Sequence, residues 1–159
     1  MKGDVNMKKE YIENDLENPK YLFHGSPKLL ETIEQRQSHD SNGNKDNEDF
    51  AVFLTSSFII ASAYAFKDKI KEESYDLNWN FDFGINNSGE IYIDMDNVRI
   101  NDDLIGYIYV FPFNDSYEHN NKSIQYKCYE NITPIDVIEV RLKEFKSFYN
   151  ITNEEHKIM

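Results

Sequence analysis

A histidine ends an apolar run near the start of the chain, in YLFHGS, and a glycine follows it directly. An imidazole can donate or accept a hydrogen bond near neutral pH, which suits the orientation of a polar ligand. Gly25 has no Cβ, so its backbone N–H and C=O can approach a planar amide closely. His24 and Gly25 therefore indicate a binding site, and the alternative is a purely structural histidine.

The stretch AVFLTSSFIIASAYAF, residues 51–66, repeats this design with an apolar run, a polar break and an alanine-rich run. Helical periodicity places Phe58, Ala61 and Ala65 on one face and Ile60 and Tyr64 on the adjacent face. The small alanines predict a helix that lies close to a sheet.

These residues need an α+β framework to position them. The sequence predicts a strand at KYLFHGS, a helix of about two turns at SPKLLETIEQ, a flexible loop over residues 36–50 and a strand at AVFLT. A helix follows at SFIIASAYAFKDKIKEE. Five further strands are predicted at NWNFDFGI, GEIYIDM, GYIYVFPF, SIQYKCYE and IDVIEVRL. We expect a tail or short helix over residues 1–19 and a single domain over residues 20–159, with helices mainly in the N-terminal half.

Composition excludes several classes of function. The formal net charge of −12 disfavours strong nonspecific binding of nucleic acid. The single cysteine, Cys128, forbids an internal disulfide, and neither a signal peptide nor a membrane span is visible. The acidic stretch DMDNVRINDD lacks the calcium-loop spacing, and His39 and His119 lack a zinc spacing. We therefore expect a cytoplasmic monomer without metal or membrane contact.

The motifs YLFHGS, AVFLTSSFIIASAYAF and SIQYKCYENITPIDVIEV together resemble those of the ADP-ribosyltransferase fold family. They are similar to the branch of diphtheria toxin and the poly(ADP-ribose) polymerases, which carries a His-Tyr-Glu signature. The resemblance covers about residues 20–142. It implies an ADP-ribosyltransferase-like fold, with central antiparallel sheets in two packed halves, and NAD as a substrate.

The first motif implies contacts with the nicotinamide half of NAD. By resemblance, His24 bonds the nicotinamide-side ribose, and the Gly25 backbone holds the carboxamide. Ser26 completes the motif and is assigned to the same ligand. Arg36 lies where a loop of the family covers the adenosine side, so it is placed near the pyrophosphate, with a solvated arginine as the alternative.

The second motif implies an aromatic wall for the same ligand. Phe53 takes the place of the first tyrosine of the family, and its alternative role is that of a plain core residue. Tyr64 takes the place of the aromatic residue that stacks on the nicotinamide ring. Ala61 stands one turn earlier, where many relatives carry a serine that bonds the amide.

The third motif departs from the family at its acidic residue, because Gln125 occupies the place of the glutamate. Cleavage of NAD passes through an oxocarbenium-like transition state, which a carboxylate stabilises. Glutamine can accept the same hydrogen bond but has no charge. Glu130 and Glu90 are other candidate acids, and for both the alternative is a solvated surface carboxylate.

The resemblance thus implies an NAD-dependent mono-ADP-ribosyltransferase. Its catalytic residues would be His24 and Gln125, and its acceptor an unknown protein or nucleic acid. The family also suggests a small toxin or a phage effector. The alternative is a weak or inactive relative that binds NAD, ADP-ribose, a related signalling nucleotide or a protein partner.

Overall fold

The protein is an α+β chain with mostly antiparallel sheets and few helices, as the sequence predicts. The computed structural model describes residues 8–29, 36–37, 50–119 and 123–152. Within these ranges, no helix is long and apolar enough to cross a membrane. In chain order the elements are α1 (residues 8–12), β1 (Tyr21–Ser26), β2 (Arg36–Gln37), β3 (Phe50–Thr55), α2 (Phe58–Glu73), β4 (Asn80–Ile85), β5 (Ile91–Asp96), β6 (Ile105–Pro112), β7 (Glu118–His119), β8 (Gln125–Cys128), β9 (Asp136–Arg141) and β10 (Asn150–Thr152), with two 3₁₀ turns at Leu142–Glu144 and Lys146–Phe148.

The larger sheet has the strand order β7-β8-β3-β1-β6-β9, and β2 pairs with β3. The described residues divide into two compact units, and β1, β6 and β9 each contribute residues to both. The first unit comprises the described residues among Met1–His24, Leu30–Ser57 and Tyr109–Val137. The second comprises those among Gly25–Leu29, Phe58–Ile108 and Ile138–Met159.

The first unit is held at its N-terminal end by an aromatic cluster and by one amide side chain. The ring of Tyr11, which lies in α1, packs edge-on against Tyr21 at 5.0 Å and lies 5.7 Å from Phe23. The Asn14 side chain donates to the carbonyl oxygens of Tyr21 and Ser56, at 2.9 and 2.8 Å. Its own oxygen accepts the Tyr21 amide. These bonds fasten the N-terminal segment to the start of β1.

The second unit contains α2 and a three-stranded sheet in the order β10-β5-β4. β4 and β5 are antiparallel, whereas β10 runs parallel to β5. The buried face of α2 presents Phe58 and Phe66 to the ring of Phe145, at centroid distances of 5.9 and 6.1 Å. These three rings are buried in the apolar core of the unit.

Two local predictions differ from the structure. Residues 27–29 are not helical where a helix start was predicted, and residues 30–35 lie outside the described part of the chain. Arg36 and Gln37 form a strand where a loop was predicted, because they pair with Ala51 and Phe50 of β3. This pairing adds a short strand beside the first two residues of β3. The rest of the predicted loop before Phe50 lies outside the described residues.

Candidate functional site

His24 lies in β1, is half-buried, and has a fixed orientation. Its Nδ1 lies 2.9 Å from the backbone oxygen of Phe53. A carbonyl oxygen only accepts, so Nδ1 carries the proton in this bond. In the neutral ring the Nε2 atom is then the acceptor, which suits a bond from a hydroxyl group. The ring also lies 6.3 Å from that of Tyr109.

Phe53 and Gln125 share one face of the larger sheet. In the β3–β8 pair, Phe53 lies opposite Lys127 and Thr55 lies opposite Gln125. Directly opposed residues share a face, as do residues two apart in one strand. Phe53 is half-buried, so it is not a fully enclosed core residue. The structure therefore brings two of the predicted site residues onto one surface.

His24 lies on the opposite face of the sheet from Phe53 and Gln125. Phe23 pairs with Thr55, and Thr55 pairs with Gln125, so these three residues form a row across β1, β3 and β8. In regular pleating the residue after Phe23 projects from the other face. The His24 ring reaches the backbone of Phe53 and does not join the row of Gln125. The sheet register therefore does not bring the two predicted catalytic residues, His24 and Gln125, onto one face.

Two charged residues on the Gln125 face were not predicted from the sequence. Lys127 is only 9% exposed, and its Nζ lies 6.0 Å from the centroid of the Phe53 ring. Glu118 of β7 pairs with Lys127, and its carboxylate accepts a hydrogen bond from the Tyr129 hydroxyl at 2.7 Å. Side chains alternate between the two faces of a strand, so the sequence QYK alone could have placed Lys127 on the face of Gln125. Glu118 lies in a strand of two residues, which is too short to show a period.

The two acids considered as substitutes for the missing glutamate are both exposed. Glu130 follows the end of β8. Glu90 precedes β5 in the second unit, where its backbone N–H bonds the Asn86 side chain in a turn. Their positions agree with solvated surface carboxylates.

Gly25 is required by a close approach between β1 and α2 in the second unit. A Cβ at this position would lie 1.9 Å from the backbone oxygen of Ala61 and 2.9 Å from the backbone nitrogen of Ala65. Packing thus explains this glycine without a ligand. Ala61 is fully buried, and the nearby Ser26 is buried with its hydroxyl accepting the Lys28 amide at 3.1 Å.

Tyr64 projects from α2 and keeps 43% of its surface exposed. Its ring packs edge-on against Phe83 of β4 at 4.9 Å. The ammonium group of Lys67 lies 5.6 Å from the Tyr64 centroid and 5.8 Å from the Phe83 centroid. Partial loss of water lowers the pKa of Lys67 and raises the pKa of Tyr64. The tyrosine is therefore neutral at physiological pH.

The predicted site residues thus fall into two groups. The first unit holds His24, Arg36, Phe53 and Gln125, and the second holds Gly25, Ser26, Ala61 and Tyr64. Arg36 has a described backbone in β2, whereas its side chain lies outside the described atoms. Among the described residues, no group of three His, Cys, Asp or Glu side chains could hold a metal ion. Comparison with protein-family models, with curated proteins and with solved structures finds no match to this chain.

Proposed function

We propose that this chain binds NAD and acts as a slow NAD-dependent mono-ADP-ribosyltransferase of the His-Tyr-Glu type. The main support is the hydrogen bond from His24 Nδ1–H to the backbone oxygen of Phe53. This bond leaves Nε2 as the acceptor in the neutral ring, as a histidine that orients a ribose hydroxyl requires. The motif resemblance, on an α+β chain with mostly antiparallel sheets, supplies the rest of the argument.

Each remaining residue has a proposed role in the same reaction. The Gly25 backbone would hold the carboxamide, with Ser26 and Ala61 beside it, and Tyr64 would stack on the nicotinamide ring. Phe53 would pack against the ribose without the hydroxyl bond that a tyrosine makes, and Arg36 would meet the pyrophosphate.

The transfer breaks the bond between ribose C1′ and the nicotinamide nitrogen. Nicotinamide leaves with the bonding electron pair, and C1′ forms a bond to the acceptor nucleophile, which loses its proton to solvent. Positive charge develops on the ribose between these events. Gln125 could accept a bond from the 2′-hydroxyl but adds no negative charge, and the sheet register sets it on the opposite face from His24. Both features predict slow turnover.

Nicotinamide release from NAD tests the proposal. Wild-type protein, His24→Ala and His119→Ala are incubated with NAD and a panel of protein and nucleic-acid acceptors. His119 is the matched control, because it is an exposed histidine of the same unit. We expect slow release by wild type and His119→Ala and none by His24→Ala. Equal release by all three proteins, or none by any, would oppose the transferase proposal.

A second candidate function is nucleotide binding without turnover. It is favoured by the uncharged Gln125, which stands where the family carries a glutamate. Gln125→Glu tests it, because this variant adds the carboxylate that the family uses. A measurable release of nicotinamide in the variant alone would identify the wild-type chain as a binding protein with a blocked reaction. If Gln125→Glu releases no more nicotinamide than wild type, the glutamine is not what limits turnover.

A further inference from the structure

Lys67 and Tyr64 lie three residues apart on α2, so their side chains are neighbours on the helix surface. The Lys67 ammonium lies within the range of a cation–π contact from both Tyr64, at 5.6 Å, and Phe83, at 5.8 Å. The two rings are themselves packed edge to face. An internal cation therefore already interacts with the aromatic ring to which we assign the nicotinamide.

The nicotinamide ring of NAD is also a cation. It is attracted to the electron-rich face of an aromatic ring by the same electrostatic interaction that holds an ammonium group there. Two positive charges beside one ring repel each other, and Lys67 is half-buried, so water screens this repulsion incompletely. NADH has the same size but an uncharged ring, and ADP-ribose has no nicotinamide at all.

We propose that Lys67 competes with the cationic nicotinamide ring for Tyr64 and so determines which nucleotides the protein prefers. The expected preference is for NADH and ADP-ribose over NAD. This inference rests on the proposed role of Tyr64 in binding nicotinamide. Lys67 would then discriminate between ligands with a charged and an uncharged nicotinamide ring.

The chain offers a matched control one turn further along α2. The Lys71 ammonium lies 5.3 Å from the Trp79 ring centroid, in a contact of the same kind. A Lys71→Met change removes the same charge from the same helix without touching Tyr64. Lys67→Arg keeps the cation beside Tyr64, whereas Lys67→Met keeps the apolar stem and removes the charge.

The experiment is titration calorimetry of the full chain and these three variants with NAD, NADH and ADP-ribose. We expect Lys67→Met to bind NAD about 3- to 30-fold more tightly, which corresponds to one cation–π contact. Its affinities for NADH and ADP-ribose should stay level or fall slightly, because the protein has become more acidic. Lys67→Arg and Lys71→Met should keep the wild-type preference.

The other outcomes separate this inference from the proposed function. Binding of all three ligands with no selective gain for NAD in Lys67→Met would overturn the inference and leave nucleotide binding intact. An equal gain for NADH would also overturn it, because charge on the ring would not be the cause. If no protein binds any of the ligands, the proposed function fails and the inference fails with it.

Discussion

Replacing Gly25 with alanine should destabilise the protein even when no nucleotide is present. The added methyl carbon would lie 1.9 Å from the Ala61 backbone oxygen, far inside van der Waals contact. The obstructing atoms belong to the backbone of α2, so strand and helix must separate. Overpacking of this kind destabilises by about 1–3 kcal/mol. We expect about 3 kcal/mol, because no flexible side chain can move aside.

Thermal unfolding measures this effect directly. For a chain of this length, about 3 kcal/mol corresponds to a fall in Tm of about 6–12 °C. Gly84→Ala is the matched control, since the nearest atoms to its Cβ would belong to the Tyr92 side chain, at 3.3 Å or more, and not to backbone. That variant should stay within about 1 kcal/mol of wild type. A Gly25→Ala protein that melts within about 2 °C of wild type would refute the packing explanation of this glycine.

Two further predictions concern stability. Asn14→Ala removes the bonds from one amide to Tyr21 and Ser56, so we expect a loss of about 2–4 kcal/mol in urea unfolding; Asn14→Asp, which sets a carboxylate oxygen against the two carbonyl oxygens, should lose at least as much. A loss below about 0.5 kcal/mol in Asn14→Ala would contradict this. Burial raises the pKa of Tyr149, whose hydroxyl bonds Ser62. Because the folded-state pKa lies above the unfolded value of about 10, the contribution of Tyr149 is complete below pH 10 and is lost as pH rises further, by up to about 1.4 kcal/mol per pH unit. Tyr149→Phe should therefore flatten the decline in unfolding free energy above pH 10, and an unchanged decline would refute the assignment.

Much of the strand pattern was predictable, because alternation and turn residues are local signals. The predicted strand NWNFDFGI contains β4, and IDVIEVRL contains β9. Helix α2 lies over the segment whose apolar residues show a helical period. These segments are long enough for a period to emerge from the residue types alone.

The features that sequence reasoning missed depend on partners distant in the chain. β2 and β7 have two residues each and exist through pairing with β3 and β8. The position of Lys127 opposite Phe53 is a matter of register, which a single strand does not reveal. The packing of Gly25 against the backbone of α2 was likewise not predicted. Such close approaches follow from tertiary packing and have no signature in the strand itself.

The most direct test of the central claim is the binding of NAD to wild-type protein and to His24→Ala by titration calorimetry. Circular dichroism and melting of the variant establish that its fold is retained, and His119→Ala serves as the control. We expect wild type and His119→Ala to bind NAD and a folded His24→Ala to bind it about 2- to 12-fold more weakly, from the loss of one hydrogen bond to the ribose. Equal affinity in all three proteins, or no binding of NAD by wild type, would contradict it.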